Sequence, residues 1–358
     1  MIKRRKAKVI QIGKVRIGGN YPIAIQSMAK CKTSDSLQAI RQIKQLEAMG
    51  CEIVRLAVKD QADAAAIRQI KRQVKAPLVA DIHFDWRLAL AAIDSGADKI
   101  RLNPGNIFKP EQIKEVARAA RLAGIPIRVG LNSGSVKKSK GRDIPSAMCV
   151  SALEYIRLLE KCGFYDIVVS LKASNIMDTV AAYRKFVKLC QYPLHLGVTA
   201  TGLPYSGAIK SSIAVGALLL EGIGDTVRIS LTDTPEQEIK AAKAILEGLG
   251  LRHFGPEVIS CPTCGRCEVD LIKIVKQIED RISHIGYQVS DMPAKLAVMG
   301  CVVNGPGEAR EADIGIAFGK NQGLMFKAGK PVRKVSLAGS VSALIKEMGA
   351  KRGRKLER

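Results

Sequence analysis

Apolar and polar positions along the first 250 residues repeat one pattern. A short β-branched or aliphatic run comes first, then a polar or glycine-bearing turn, then a stretch with apolar residues at helical spacing. Strands are predicted over 22–28, 52–57, 78–82, 98–102, 126–131, 166–171, 193–198 and 226–231. Helices are predicted over 35–49, 60–74, 86–95, 110–122, 146–162, 176–190, 208–221 and 235–249. A small hairpin precedes them, Val9–Ile12 against Lys14–Ile17 with Gly13 near the turn. Strands alternating with helices pair in parallel. Eight such units in about 250 residues match a (β/α)₈ TIM-like barrel. A doubly wound sheet is the runner-up, disfavoured because no G-x-G-x-x-G turn follows a strand.

After Leu251 the rhythm changes, and His253-Phe254-Gly255-Pro256 marks a boundary. The remainder of the chain reads as a strand (257–260), a cysteine-rich loop, a helix (268–285), a strand (295–299) and a loop (300–308). Strands over 313–318, 323–327 and 331–336 and a helix over 340–349 complete a smaller α+β domain. The expected organisation is a barrel over 1–250, a second domain over 251–350 and a charged tail over 351–358.

Polar groups gather where the barrel strands end. They are Arg55; Asp81 and His83; Arg101 and Asn103; Arg128 and Asn132; Ser170, Lys172 and Asn175; His195 and Thr199; Arg228, Ser230 and Thr232. Barrel interiors are normally filled by Val, Ile and Leu, and their active sites lie at the C-terminal strand ends. A buried cation is costly unless paired. Either Arg55, Arg101, Arg128, Lys172 and Arg228 pair with nearby carboxylates (Glu52, Asp81, Asp98, Asp166), or together they surround an anion. Five cations at one barrel mouth suit a di- or triphosphate, which arginine grips bidentately. His83 follows a strand beside this site and is a ligand candidate, whereas His195 lies mid-strand and reads as structural.

The chain carries 57 Lys+Arg against 33 Asp+Glu, a formal charge of +24, which points to some anionic partner. Residues 1–16, 137–142 and 320–358 hold +7, +4 and +9 of it, away from the strand ends. That distribution suits solubility or an acidic redox partner. With 4% aromatic residues there is little to stack on bases, so no nucleic acid is expected. No apolar run reaches the ~18 residues of a membrane span. The basic start is not followed by an apolar h-region, so a cytoplasmic protein is expected.

Nine cysteines are an odd number for a disulfide framework. Four fall late: Cys261, Cys264 and Cys267 in Cys-Pro-Thr-Cys-Gly-Arg-Cys, and Cys301 in Gly-Cys-Val-Val-Asn-Gly-Pro-Gly-Glu. Thiolates suit zinc or iron–sulfur clusters. A zinc ribbon needs a second cysteine pair, which Cys301 alone does not make. An anionic substrate and a one-electron cofactor together suggest a reductase acting on a phosphorylated compound.

Those two cysteine motifs resemble the signatures of the 4-hydroxy-3-methylbut-2-enyl diphosphate synthases. So do Gln26-Ser27-Met28, Ala80-Asp81-Ile82-His83-Phe84-Asp85, Arg101-Leu102-Asn103-Pro104-Gly105-Asn106, Leu194-His195-Leu196-Gly197-Val198-Thr199 and Glu221-Gly222-Ile223-Gly224-Asp225-Thr226. The resemblance covers almost the whole chain. It implies an oxidoreductase of the methylerythritol phosphate route to isoprenoids, opening 2-C-methyl-D-erythritol 2,4-cyclodiphosphate reductively with loss of water. It implies a [4Fe–4S] cluster fed by flavodoxin or ferredoxin, and a head-to-tail homodimer in which one subunit's cluster domain caps the other's barrel. By position, Cys261, Cys264, Cys301 and the Glu308 carboxylate would hold the cluster, leaving Cys267 without a ligand role. Arg55, His83, Arg101, Arg128, Asn132, Lys172, Thr199, Arg228 and Ser230 would bind substrate. His83, Asn304 and Glu308 would be catalytic.

Two positions depart from the pattern. Thr199-Ala200-Thr201-Gly202 stands where the family usually reads Thr-Glu-Ala-Gly, so a candidate acid/base is missing. Ala29-Lys30-Cys31 stands where Thr-Asn-Thr is common. A homologous reductase with an altered substrate, and a basic zinc-containing nucleic-acid-binding protein, are the alternatives.

Overall fold

The computed structural model describes residues 2–136, 143–284 and 295–349. The basic loop 137–142, the end of the helix expected over 268–285 and the tail 351–358 lie outside the described residues. The chain divides into two compact units, Met1–Arg252 and one that begins at His253.

The first unit opens with the hairpin β1 (Ile10–Ile12) and β2 (Val15–Ile17). Alternation then runs β3 (Ala24–Met28), α1 (Ser36–Ala48), β4 (Ile53–Val58), α2 (Gln61–Lys71), β5 (Leu78–Ile82), α3 (Trp86–Asp94), β6 (Lys99–Leu102) and α4 (Pro110–Leu122). It continues with β7 (Ile127–Asn132), α5 (Ile144–Lys161), β8 (Ile167–Lys172), α6 (Ile176–Phe186), β9 (His195–Leu196), α7 (Pro204–Leu220), β10 (Thr226–Val227) and α8 (Pro235–Gly248). The eight strands from β3 onward form one parallel sheet in the order β8-β7-β6-β5-β4-β3-β10-β9. A bridge between Val169 and Leu194 joins its two ends, closing the (β/α)₈ barrel. Helices α1, α2, α3 and α5 start at side-chain caps: Asp35, Asp60, Asp85 and Asp143 each accept a backbone N–H of the first turn.

Ile10, Ile12 and Ile17 of the hairpin pack with Ala24, Ile53, Val79 and Val168 from the strand beginnings. The N-terminal end of the barrel is thus plugged by aliphatic side chains. Arg4 and Arg5 tie the chain down beyond the plug. Arg4 donates to Gly224 O at 3.2 Å and Asp225 Oδ1 at 2.9 Å, and Arg5 donates to Cys190 O at 2.8 Å and Tyr192 O at 2.5 Å. Part of the N-terminal charge is therefore a structural strap, contrary to its expected role in solubility.

Two strands are shorter than the expected 193–198 and 226–231. β9 ends before Gly197, whose φ of +157° leaves the β region, and past Val227 the pairing thins to Arg228 N donating to Leu196 O at 3.0 Å. The helix expected from 208 starts at Pro204, because proline in the first turn has no N–H to leave unpaired.

In the second unit, β11 (Glu257–Ser260), β12 (Lys295–Met299) and β13 (Ile314–Phe318) are parallel, while β14 (Gln322–Lys327) and β15 (Lys330–Ser336) continue antiparallel. The helices are α9 (Leu271–His284), α10 (Gly305–Glu311) and α11 (Ser340–Gly349). Leu271 and Ile278 of α9, with Val341 and Leu344 of α11, cover Leu296, Val298, Ile314 and Ile316 on one face of the sheet. Ala309 of α10 packs with Ala297, Met299, Ala317 and Phe326 on the other. The expected loop 300–308 thus contains the start of a helix. Its Gly-Pro-Gly composition reads as a loop, yet proline is at home in a helical first turn.

Candidate functional site

Every second residue of a barrel strand faces inward. The register sets Asp81 beside Arg101 and Arg101 beside Arg128, with Arg55 two positions before Ala57, the partner of Asp81. These side chains therefore share the inward face toward the C-terminal strand ends. Arg101 Nη1 donates to Asp81 Oδ1 at 3.1 Å and Nη2 to Gly130 O at 2.8 Å. A β-carbon at Gly130 would lie 2.7 Å from Arg101 Nε, so the absence of a side chain there makes room for the guanidinium. Arg55 Nε stands 3.8 Å from Asp81 Oδ2. Arg228 Nη2 donates to Glu238 Oε1 at 3.1 Å and Nη1 to Ser230 Oγ at 2.5 Å. Lys172 Nζ is 3.2 Å from His195 Nε2, whose Nδ1 is 2.8 Å from Thr226 Oγ1. His195 is thus a buried support for Lys172.

The expected carboxylate partners are mostly elsewhere. Glu52 accepts from Arg252 at 2.5 Å, Asp98 is held by Lys71 and caps Leu78 N at 2.7 Å, and Asp166 faces Lys8 at 3.3 Å. Among the described residues, Asp81 and Glu238 are the acidic groups bonded to this set, against Arg55, Lys99, Arg101, Arg128, Lys172 and Arg228. Arg128 is 1% exposed, and its Nε and Nη1 have no hydrogen-bond partner. Arg228 Nε, Gln26 Nε2 and His83 Nδ1 are likewise buried and unpaired. Native proteins rarely leave such groups orphaned.

Burial pushes the Lys99 and Lys172 amines far below their ordinary values, and neighbouring guanidiniums, Arg128 and Arg55 chief among them, push the same way. Burial, then Lys172 and Arg128, keep His195 far below its usual range and so neutral. Burial raises the Asp81 carboxyl, but Arg55, Arg101 and Arg128 together outweigh it and leave the group below its ordinary value. The interior cations repel one another, and Asp81 and Glu238 offset only part of their charge.

Asn132 closes β7, and its backbone N–H meets Ser135 Oγ at 3.4 Å. Thr199 N donates to Ala173 O at 3.2 Å, just past the end of β8. These residues and His83 all stand at or past strand ends, as expected.

In the second unit, neighbouring parallel strands β11 and β12 deliver Cys261 and Cys301 within two residues of their ends. Gly300 N donates to Cys261 Sγ at 3.3 Å, and Glu268 N donates to Gly300 O at 2.8 Å, fastening the two loops together. The Cys301 thiol is lowered by the N–H groups of Val303, Asn304 and Gly305, where α10 begins. The exposed Cys264 thiol is lowered by the backbone and then the side chain of Arg266, whose charge also reaches Cys301. Glu308 lies exposed in the first turn of α10, and Asn304 is its N-cap residue. Among the described residues, no three Cys, His, Asp or Glu side chains converge as a single ion would require. The lowered Cys264 and Cys301 thiols, on two adjacent loops, have the chemistry to bind a cofactor through sulfur.

The sequence reading missed two members of the barrel site. Lys99 is fully buried with Nζ 3.4 Å from Gln26 Oε1, and it lies two residues before Arg101. Period-two alternation would have found it. Glu238 is 1% exposed and bonds Ser27 and Lys30 as well as Arg228, but it comes from a helix, where strand-end reasoning does not look.

Residues 7–243 match the family model described as the GcpE TIM-barrel domain, and residues 257–350 match the GcpE protein C-terminal domain. The chain is 52% identical over 353 residues to a 4-hydroxy-3-methylbut-2-en-1-yl diphosphate synthase (flavodoxin) of Caldanaerobacter subterraneus subsp. tengcongensis, covering 97% of this chain and 98% of that one. It is 52% identical over 336 residues to the enzyme of the same name from Fusobacterium nucleatum subsp. nucleatum, covering 93% and 94%. Among solved structures, a dihydropteroate synthetase with bound product matches with a TM-score of 0.51 at 12% identity, over 68% of this chain and 100% of the other. The Yersinia pestis dihydropteroate synthase matches with a TM-score of 0.50 at 11% identity, over 68% and 98%. At such identities these structures speak for the barrel fold alone.

Proposed function

The chain belongs to the GcpE family, and from that premise we propose that it reductively opens 2-C-methyl-D-erythritol 2,4-cyclodiphosphate to 4-hydroxy-3-methylbut-2-enyl diphosphate. The observation that carries this reading is the barrel interior: six cations held against two carboxylates, with two N–H groups of Arg128 left for an absent acceptor. A diphosphate supplies the missing charge and the missing acceptors. Arg55, Arg101, Arg128, Lys172 and Arg228 clamp it, and Asn132, Thr199 and Ser230 orient it. His83, with Nδ1 buried and unpaired, is the group at this mouth fitted to hold a proton for the departing hydroxyl.

Cys261, Cys264, Cys301 and Glu308 would hold a [4Fe–4S] cluster. When bound, it supplies electrons received singly from flavodoxin, the donor in the relatives' name, or from ferredoxin. Asn304 stands beside Glu308 to contact substrate there.

The protein acts as a head-to-tail homodimer. One apolar surface supports self-association: Tyr205, Ile209, Ile213 and Leu220 of α7 are 84%, 46%, 55% and 59% exposed at roughly helical-turn spacing. A cytoplasmic location fits the nine free cysteines, and no helix among the described residues is long and apolar enough to cross a membrane.

Anaerobically reconstituted protein given the cyclodiphosphate and a reductant should yield the butenyl diphosphate. An intact cluster with no product above background would overturn the assignment.

A further inference from the structure

We propose that Cys261 and Cys267 form a reversible disulfide when the cluster is absent. The proposal rests on the reading that Cys261 ligates the cluster when it is present, and it gives Cys267 a role that the ligand set does not.

Cys261 and Cys267 are both half-buried and pack against the same core, that of Leu271, Leu296 and Val298, whereas Cys264 is exposed. Both sulfurs border Gly300. A β-carbon there would collide with Cys267 Sγ and touch Cys261 Sγ at 3.5 Å. The turn between them is closed by Cys267 N donating to Cys264 O at 2.9 Å, which leaves Cys264 on the outer side of the loop. Cys267 Sγ is anchored by a 3.2 Å bond to Val269 O, an interaction that rotation of one side chain breaks.

Oxidation is balanced by a two-electron acceptor. Each thiol loses one proton and one electron, the S–S bond forms, and dioxygen is reduced to hydrogen peroxide. A dithiol reductant restores both thiols by exchange. While paired, Cys261 is withheld from the irreversible sulfinic and sulfonic steps that would destroy it as a ligand.

The test uses the full chain, reconstituted anaerobically, stripped with a chelator and exposed to air. A non-reducing tryptic map should then show the peptide ending at Arg266 joined to the peptide beginning at Cys267. The joined species should persist in Cys264→Ser and vanish in Cys261→Ser and Cys267→Ser. Fresh Cys267→Ser should carry as much iron and sulfide as the native chain, but recover at least about twofold less after stripping, air and re-reduction. Free alkylation of Cys261 in the oxidised native protein, or its linkage to Cys264 or Cys301, overturns the proposal. Iron and sulfide content before stripping tests the cluster reading separately.

Discussion

Arg128→Met separates what the barrel needs for folding from what it needs for binding. The guanidinium is 1% exposed and leaves two buried N–H donors unpaired. Each such donor costs about 1–3 kcal/mol. Methionine removes both and the repulsion from Arg55 and Arg101 while nearly filling the space, so the free protein should gain about 2–4 kcal/mol. For a unit of this size that is a rise in Tm of roughly 5–15 °C. The same change deletes two charge-assisted bonds to the bound anion, about 3–6 kcal/mol in all, or a 10²–10⁴-fold weaker Kd. Scanning fluorimetry of the ligand-free protein reads the first effect, and calorimetric titration with the cyclodiphosphate reads the second. Iron content should not change. A variant that melts lower yet binds normally would refute the reasoning, because Arg128 would then be satisfied within the fold.

Glu238→Gln keeps the shape but removes the charge that holds Arg228, so it should raise KM several-fold and lower Tm, with kcat less affected; an unchanged KM would deny it a positioning role. His195, Lys99 and Lys172 all have folded values below their unfolded ones, so the unfolded chain binds more protons and stability rises with pH. The ligand-free Tm should therefore climb from about pH 6 to about pH 9, across the ordinary histidine value near 6.5 and toward that of lysine, and inorganic pyrophosphate should flatten the climb. A fall in Tm over that range would contradict it. At Ala200 the backbone φ of +53° already carries a β-carbon, so Ala200→Glu adds no new backbone strain and tests chemistry alone. A large gain in kcat on the cyclodiphosphate marks an acid/base missing at this position, and no gain marks one already supplied by another group.

The barrel was legible because its strands and helices alternate with caps and glycines in place, and because cations such as Arg101 and Arg128 are anomalous inside β-rich runs. Partner choice was not legible. Glu52, Asp98 and Asp166 looked available to those cations, but each is engaged by a residue outside the strand-end set: Arg252, Lys71 and Lys8. Distances in sequence carry no record of that. Glu238 shows the same limit in reverse, since a helix residue 10 positions after Arg228 supplies its counter-charge. In the second unit the cysteine spacing singled out a loop that is hydrogen-bonded to the one bearing Cys301, while the helix at Gly305–Glu311 was hidden by glycines that a local rule assigns to loops.

The strap made by Arg4 has a consequence for how the protein is made. Its partners, Gly224 and Asp225, lie 220 and 221 residues downstream, and β3 waits for β10 over a similar span. At a synthesis rate of about 5–20 residues per second, the first strand stays unpaired on that edge for roughly 10–45 seconds. During that time the edge of β3 that will meet β10 stays open, so the barrel cannot close until nearly the whole first unit has been synthesised.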